Sequence, residues 1–281
     1  MIIKSIKDFF KYLKPIKLLN VGFDSGSTHK PVIVMLHGIG ATHKTWDVLI
    51  KEFDVKEYRL IAIDLLGFGK SPMPINCEYN VDDHVRYLRK TIKSLEVNRQ
   101  FTLVGHSMGS IIAARYCHLY PKSINRVYML SLPLYLKNIK GTNFFSNKQT
   151  DLYLNAYKLI SKKKDFAIKY SKRLRNILRI NDGLNVDERT WHSFSLSLKN
   201  TIIKQNTYND IKSIKLPIYI IYGMLDEFLV QDNIKQLKHF DNIKITRLVG
   251  VNHSIGAKFA KYVANQIIVS TDNEIIPTKE Q

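Results

Sequence analysis

The 281-residue chain is 45% hydrophobic and 24% charged, long enough for one large domain with a sizeable core. It has no apolar run near the roughly 18 residues of a membrane-spanning helix, and two cysteines, Cys77 and Cys117, give no disulfide framework. With 43 Lys and Arg against 24 Asp and Glu the net charge is +19, yet no nucleic-acid-binding module is recognisable.

In chain order, residues 1–15 read as an amphipathic helix. Ile2, Ile3, Ile6, Phe9, Phe10 and Leu13 fall within an arc of roughly 120°, with Lys4, Lys7, Lys11 and Lys14 elsewhere. The lysines interrupt any apolar stretch of a signal peptide, so a cytoplasmic protein is expected. The helix would either pack on its own domain or lie on an anionic membrane surface, which leaves peripheral membrane contact open. A hairpin is expected next, with strands over 16–21 and 31–36 around a polar turn at 24–28. The second strand is apolar throughout, as befits burial on both faces, and delivers His37-Gly38-Ile39-Gly40. A helix over 45–53, a strand over 59–63, the loop 64–71 and a helix over 81–95 with Asn80 as N-cap follow.

Residues 101–104 have strand character and run into Gly105-His106-Ser107-Met108-Gly109, after which 111–117 are helical. Gly-x-Ser-x-Gly between strand and helix is the nucleophile-elbow pattern. The serine sits on a sharp, strained turn, and side chains two residues either side would clash, so glycine is needed there. A further strand is expected at 126–131. The alternation then stops: 133–216 read as helical, with Trp191, Phe194, Leu198 and Ile202 as core. Strands at 217–222 and 244–249, helices at 232–239 and 256–269, and a flexible polar tail over 270–281 complete the chain. The pattern predicts an α/β fold with a mostly parallel sheet flanked by helices. Its core spans 16–132 and 217–269, and a helical cap is inserted at 133–216. His37, Asp64, Ser107, Asp226 and His253 each follow a predicted strand, at the carboxyl edge where such sheets bind ligands.

A serine nucleophile needs a base, and the base an orienting acid. His253, in the loop after the last strand, is the candidate base. Asp226 is the candidate acid and the adjacent Glu227 its rival. The segment Ser131-Leu-Pro133 offers no carboxylate. Backbone N–H groups must face the developing oxyanion. Met108 supplies one and Ile39 the other, with Gly40 next in line. His37 and His106 read as loop braces, and Asp64 as a loop cap. No metal or organic cofactor is required.

His-Gly-Ile-Gly40, Asp-Leu-Leu-Gly-Phe-Gly-Lys-Ser71, Gly-His-Ser-Met-Gly109, Gly-Met-Leu-Asp226 and Gly-Val-Asn-His253 together resemble the α/β-hydrolase fold family over about residues 16–132 and 217–268. The resemblance implies an eight-stranded, mainly parallel sheet with a cap after the sixth strand. It gives Ser107, Asp226 and His253 the triad roles and Ile39 and Met108 the oxyanion hole; Gly38, Gly40, Gly105 and Gly109 are the loop and elbow glycines. Ser110 stands where a third glycine is common, and Leu66 where a proline is. Serine rather than aspartate at 107 argues against the haloalkane dehalogenase and epoxide hydrolase branches. The implied activity is hydrolysis of a small-molecule carboxylic ester, as in carboxylesterases and lipases of short to medium chains. Alternatives within the fold are a carbon–carbon bond hydrolase and a carrier-protein-linked methyl ester hydrolase. Outside enzymes, the alternative is an anionic-surface binding protein with a vestigial site.

Over 133–216 there are 17 Lys and Arg against 6 Asp and Glu, a net of +11, so more than half of the excess charge sits on under a third of the chain. Either this surface steers an acidic carrier protein to the serine, or it is a solvated helix face. Phe144, Phe145, Tyr153 and Trp191 would line an apolar acyl pocket or pack in the cap core.

Overall fold

Apolar strands without polar alternation must be covered on both faces. Val32–Leu36 (β2) and Arg59–Ile63 (β3) are buried at every position in a computed structural model, which describes residues 16–26, 29–136, 143–169, 171 and 185–275. The amphipathic helix expected over 1–15, the cap cations Lys172, Arg173, Arg175 and Arg179, and tail residues 276–281 lie outside the described residues.

With β1 (Val21–Asp24), β4 (Phe101–His106), β5 (Ile124–Leu130), β6 (Ile218–Gly223) and β7 (Ile243–Leu248), the strands form one sheet in the order β1-β3-β2-β4-β5-β6-β7. Every pairing is parallel except β1 on β3. Seven strands are present among the described residues, one fewer than the resemblance implies. The expected hairpin is also corrected. β2 has both edges occupied by β3 and β4, so β1 pairs instead with the outer edge of β3. Arg59 fixes that pairing by donating from Nε and Nη2 to the two carboxylate oxygens of Asp24, at 3.0 and 2.8 Å. Residues 16–20 precede β1 without strand structure.

Successive strand side chains point to opposite faces, and the two cores follow from this. Val34, Leu36, Ile61, Ile63 and Leu103 face α2 (Val81–Ser94) and α3 (Met108–Leu119); Ile33, Met35, Leu60, Ala62 and Val104 face Trp46, Leu49, Phe259 and Val263. Trp46 and Leu49 belong to a short turn and helix ending at Ile50 (α1, Asp47–Ile50). Asn80 caps α2 as expected, its side chain accepting from Asp83 N–H at 2.9 Å.

No strand interrupts the segment between β5 and β6 among the described residues. It carries α4 (Phe144–Ile160), α5 (Trp191–Ser197), a π-helical stretch at Leu198–Ile203 and α6 (Thr207–Ser213). Phe194, Leu198 and Ile202 are buried as their spacing predicts, with Trp191 packed partly against them. α6 lies against α3, where Asp210 accepts from Arg115 at 2.9 Å, so the end of the insertion flanks the sheet. After α7 (Gln231–Lys235) and β7, the last helix, α8 (Ala257–Ile275), runs six residues beyond position 269. Residues 270–275 therefore continue this helix rather than forming a tail; the buried Thr271 bonds back to Ile267 O. No helix among the described residues is long and apolar enough to cross a membrane.

Candidate active site

The turn from β4 to α3 is built by steric exclusion. Ser107 has φ 53° and ψ −121°, a backbone conformation of a few kcal/mol strain for a non-glycine residue. It persists because its surroundings allow no alternative. A Cβ on Gly105 would come within 2.4 Å of Gly109 O, and one on Gly109 within 2.2 Å of Leu36 O. The Ser107 N–H is held by Leu130 O of β5 at 2.9 Å. Ser110, at the position where glycine is common, is functional to the turn: its hydroxyl reaches Gly105 O at 2.7 Å and Leu130 O at 3.0 Å.

His253 and Asp226 lie on loops after β7 and β6. The two loops touch closely, since a Cβ on Gly223 would sit 2.1 Å from Val251 O. His253 Nδ1 is 2.8 Å from Asp226 Oδ1 and 3.0 Å from Oδ2, and Phe228 N–H also donates to Oδ1 at 3.1 Å. Both residues are buried. Burial favours protonation of Asp226, but the charge and ring N–H of His253, with the Ser131 hydroxyl and Phe228 N–H, hold it below the usual carboxylate value. Burial likewise works against a charged His253, yet Asp226 outweighs it and raises the imidazole above 6.5. Of the two candidate acids, Asp226 makes the bonds; Glu227 adds only its charge to the field at His253. Pairing through Nδ1 leaves Nε2 as the nitrogen able to take a proton from a nucleophile.

Ser107 and His253 are linked through His106. Its Nε2–H donates to His253 O at 2.8 Å, and the two rings lie 4.9 Å apart. Burial and the neighbouring imidazole push His106 down to about 3, so it stays neutral and acts as a brace. Among the described residues no hydrogen bond joins the Ser107 hydroxyl directly to His253, and such bonds commonly tighten only with substrate in place.

The loop after β2 lies against the elbow: a Cβ on Gly38 would be 3.2 Å from Ser107 Cβ. His37 fixes this loop, with Nδ1–H donating to Gly38 O at 2.7 Å and Nε2 accepting from Leu65 N–H at 2.8 Å. Gly40 needs its freedom, at φ 66°. Ile39 follows Gly38 on this loop, and Met108 opens α3, where a backbone N–H has no intrahelical acceptor. Asp64 is a loop cap. It accepts from His43 N and Nδ1, Lys70 N and Asn20 Nδ2, and a Cβ on Gly69 would be 2.3 Å from its carboxylate. Burial opposes its charge, but the Lys70 and His43 donors and the His37 ring hold its pKa low.

Two features escaped sequence reasoning. Tyr153 on α4 donates to Glu227 O at 2.5 Å, while Tyr135, bonded to Tyr157, donates to Phe228 O at 2.8 Å. Phe228 in turn packs edge-on against the His253 ring at 4.7 Å. The cap thus clamps the loop that carries the candidate acid Asp226; the tyrosines at 153 and 157, one turn apart, were the available signal. The cap also touches the Gly38–Gly40 loop, through Asn185 N–H to Gly40 O at 2.8 Å. The second feature is that Phe144 and Phe145 are 73% and 79% exposed, so they neither line a pocket nor pack in the cap core. No group of three or more His, Cys, Asp or Glu among the described residues could hold a metal ion.

Comparison with known proteins addresses the family of the chain and its fold. A probable lysophospholipase of Arabidopsis thaliana, BODYGUARD 4, is 32% identical over 112 residues, 39% of this chain and 27% of that protein. Epoxide hydrolase 4 of Mus musculus is 31% identical over 110 residues, 39% of this chain and 30% of that protein. The chain thus spans under a third of the length of these relatives. A solved structure of a thermophilic esterase from Thermogutta terrifontis superposes with a TM-score of 0.70, covering 89% of this chain and 92% of the esterase at 13% identity. Residues 31–256 match the sequence pattern described as the alpha/beta hydrolase fold, from the start of β2 to the loop beyond His253. The chain belongs to the alpha/beta hydrolase fold family.

Proposed function

We propose that the chain is a serine hydrolase of carboxylic esters. The observation that carries this reading is the Asp226–His253 pair on the loop edge that also holds Ser107, a serine at φ 53° flanked by Gly105 and Gly109, where a Cβ would meet backbone oxygen at 2.4 and 2.2 Å. In the proposed cycle Ser107 Oγ attacks the ester carbonyl and its proton passes to His253 Nε2. Asp226 stabilises the imidazolium through Nδ1, and the backbone N–H groups of Ile39 and Met108 receive the oxyanion. His253 then protonates the departing alkoxide, leaving an acyl group on Ser107. Water, deprotonated by His253, attacks that ester, and collapse of the second tetrahedral species returns the serine its proton and releases the acid. The relative named a probable lysophospholipase favours a lipid ester as the substrate class. The epoxide hydrolase relative does not carry over as an activity, because position 107 holds a hydroxyl rather than the carboxylate of that branch.

The test is turnover of p-nitrophenyl esters of increasing acyl length by the wild type and Ser107→Ala. The reading predicts turnover that falls by at least about a thousandfold in the variant. Equal residual hydrolysis in both proteins would contradict it, and absence of turnover with any ester would favour a binding role.

A further inference from the structure

An amphipathic helix on a protein surface normally turns its apolar stripe inward and its polar face to water. α4 buries a mixed inner face of Ser146, Thr150 and Leu154 and leaves large apolar side chains in water on the other. On the inner side Tyr153 is bonded to Glu227 O in the loop after Asp226, and Tyr157 is bonded to Tyr135, which reaches Phe228 O of the same loop. On its outer face Phe145, Leu152 and Leu159 recur every seventh residue, within roughly 40° of one another at about 100° per residue. They are 79%, 68% and 48% exposed, and Phe144, 73% exposed, adds a ring edge-on to Phe145 at 5.9 Å. An exposed apolar stripe rimmed by charge marks an interaction surface rather than a solvated face.

The rim identifies the partner. Residues 143–169 hold six lysines against two aspartates, and Lys148, Lys158, Lys162 and Lys163 are exposed beside the stripe. Long lysine stems let an ammonium reach phosphate groups while the neighbouring aromatic and leucine side chains enter the acyl boundary. The sign of the whole chain, +19, agrees. We propose that the outer face of α4 docks the protein on an anionic phospholipid surface, with Phe144, Phe145, Leu152 and Leu159 inserted and the flanking lysines on the headgroups. Docking there brings the lipid to the outside of the helix whose inner face clamps the acid loop. The docking face stands whether or not Ser107 is a nucleophile, so binding is read separately from turnover.

The experiment is co-sedimentation of the full chain with vesicles of phosphatidylcholine alone or mixed with phosphatidylglycerol. The wild type is expected to bind the mixed vesicles, more weakly as salt is raised, and to bind the neutral ones poorly. Leu152→Ser combined with Leu159→Ser is expected to lower binding at least about tenfold while keeping the wild-type thermal unfolding midpoint. A second variant, Phe145→Trp, reports insertion directly. Its added fluorescence, relative to wild type, should shift to the blue on mixing with anionic vesicles. Undiminished binding by a folded double variant, an unshifted tryptophan, or no binding to either vesicle each overturns the proposal, the last leaving the stripe to a protein partner.

Discussion

Asp226→Asn isolates the step on which the proposed chemistry depends most. The carboxylate lies 2.8 Å from His253 Nδ1. At that separation and an effective dielectric of about 20, imidazolium and carboxylate attract by roughly 6 kcal/mol. An amide keeps the shape but forfeits most of this term and no longer enforces the Nδ1–H tautomer. A loss of about 4–5 kcal/mol from the transition state corresponds to roughly a 10³–10⁴-fold fall in kcat. The pH dependence moves as well. His253 must be neutral to act as base, and Asp226 holds its pKa above 6.5 against burial, which acts to lower it. The rising limb of kcat/KM therefore lies above pH 6.5 in the wild type and moves to lower pH in Asp226→Asn. The assay is a set of pH profiles on p-nitrophenyl butyrate, with Glu227→Gln as control, which should stay within a few-fold of wild type. A fall of less than tenfold in Asp226→Asn, or an unmoved limb, would refute the reasoning.

Other outcomes follow from the same geometry. In Gly105→Ala the new methyl meets three backbone atoms at 2.4–2.7 Å, so it should cost about 3 kcal/mol and lower the unfolding midpoint by roughly 5–10 °C; an unchanged midpoint contradicts this. Tyr135→Phe with Tyr153→Phe removes two bonds to the loop after Asp226; at about 1 kcal/mol each, kcat should fall by up to roughly thirtyfold with KM little changed. An unaltered kcat would mean the loop holds itself. Burial depresses His84 and His106 to about 4 and about 3. Their folded values lie below the unfolded 6.5, so below that pH the unfolded chain binds protons the folded chain does not. Each histidine then removes up to about 1.4 kcal/mol of stability per pH unit until its folded pKa is reached. Thermal unfolding from pH 7 to pH 4 should show the decline, and a flat profile would contradict it.

The placement of the candidate site residues was legible because they stand next to strand ends. A strand of five apolar residues followed by His37-Gly38, or a Gly-x-Ser-x-Gly between strand and helix, carries its environment with it. Asp226 and His253 follow β6 and β7 for the same reason. Their mutual contact comes from the parallel pairing of those strands, Gly223 opposite Leu248. What stayed hidden depends on contacts between distant segments. The partner of β1 is decided by which strand edge is vacant, and local alternation cannot report that. Ser110 stands out in the sequence only as a departure from glycine, yet its hydroxyl satisfies two carbonyls that come together only when β4 and β5 align. The tyrosines of α4 look like ordinary cap aromatics until the loop after Asp226 folds beneath them. Aromatic burial is the common outcome, so the sequence points Phe144 and Phe145 to a pocket or a core, and their exposure belongs to the tertiary placement of α4.

The central claim is that Ser107 is an activated nucleophile. A fluorophosphonate requires a serine already activated by a base, so it tests that claim without knowledge of the substrate. The full chain would be incubated with the reagent, and the modified peptide identified by mass spectrometry. The account predicts one phosphonylated residue, Ser107, with labelling slowed strongly in His253→Ala. No adduct at Ser107, or an adduct formed as fast without His253, would contradict it.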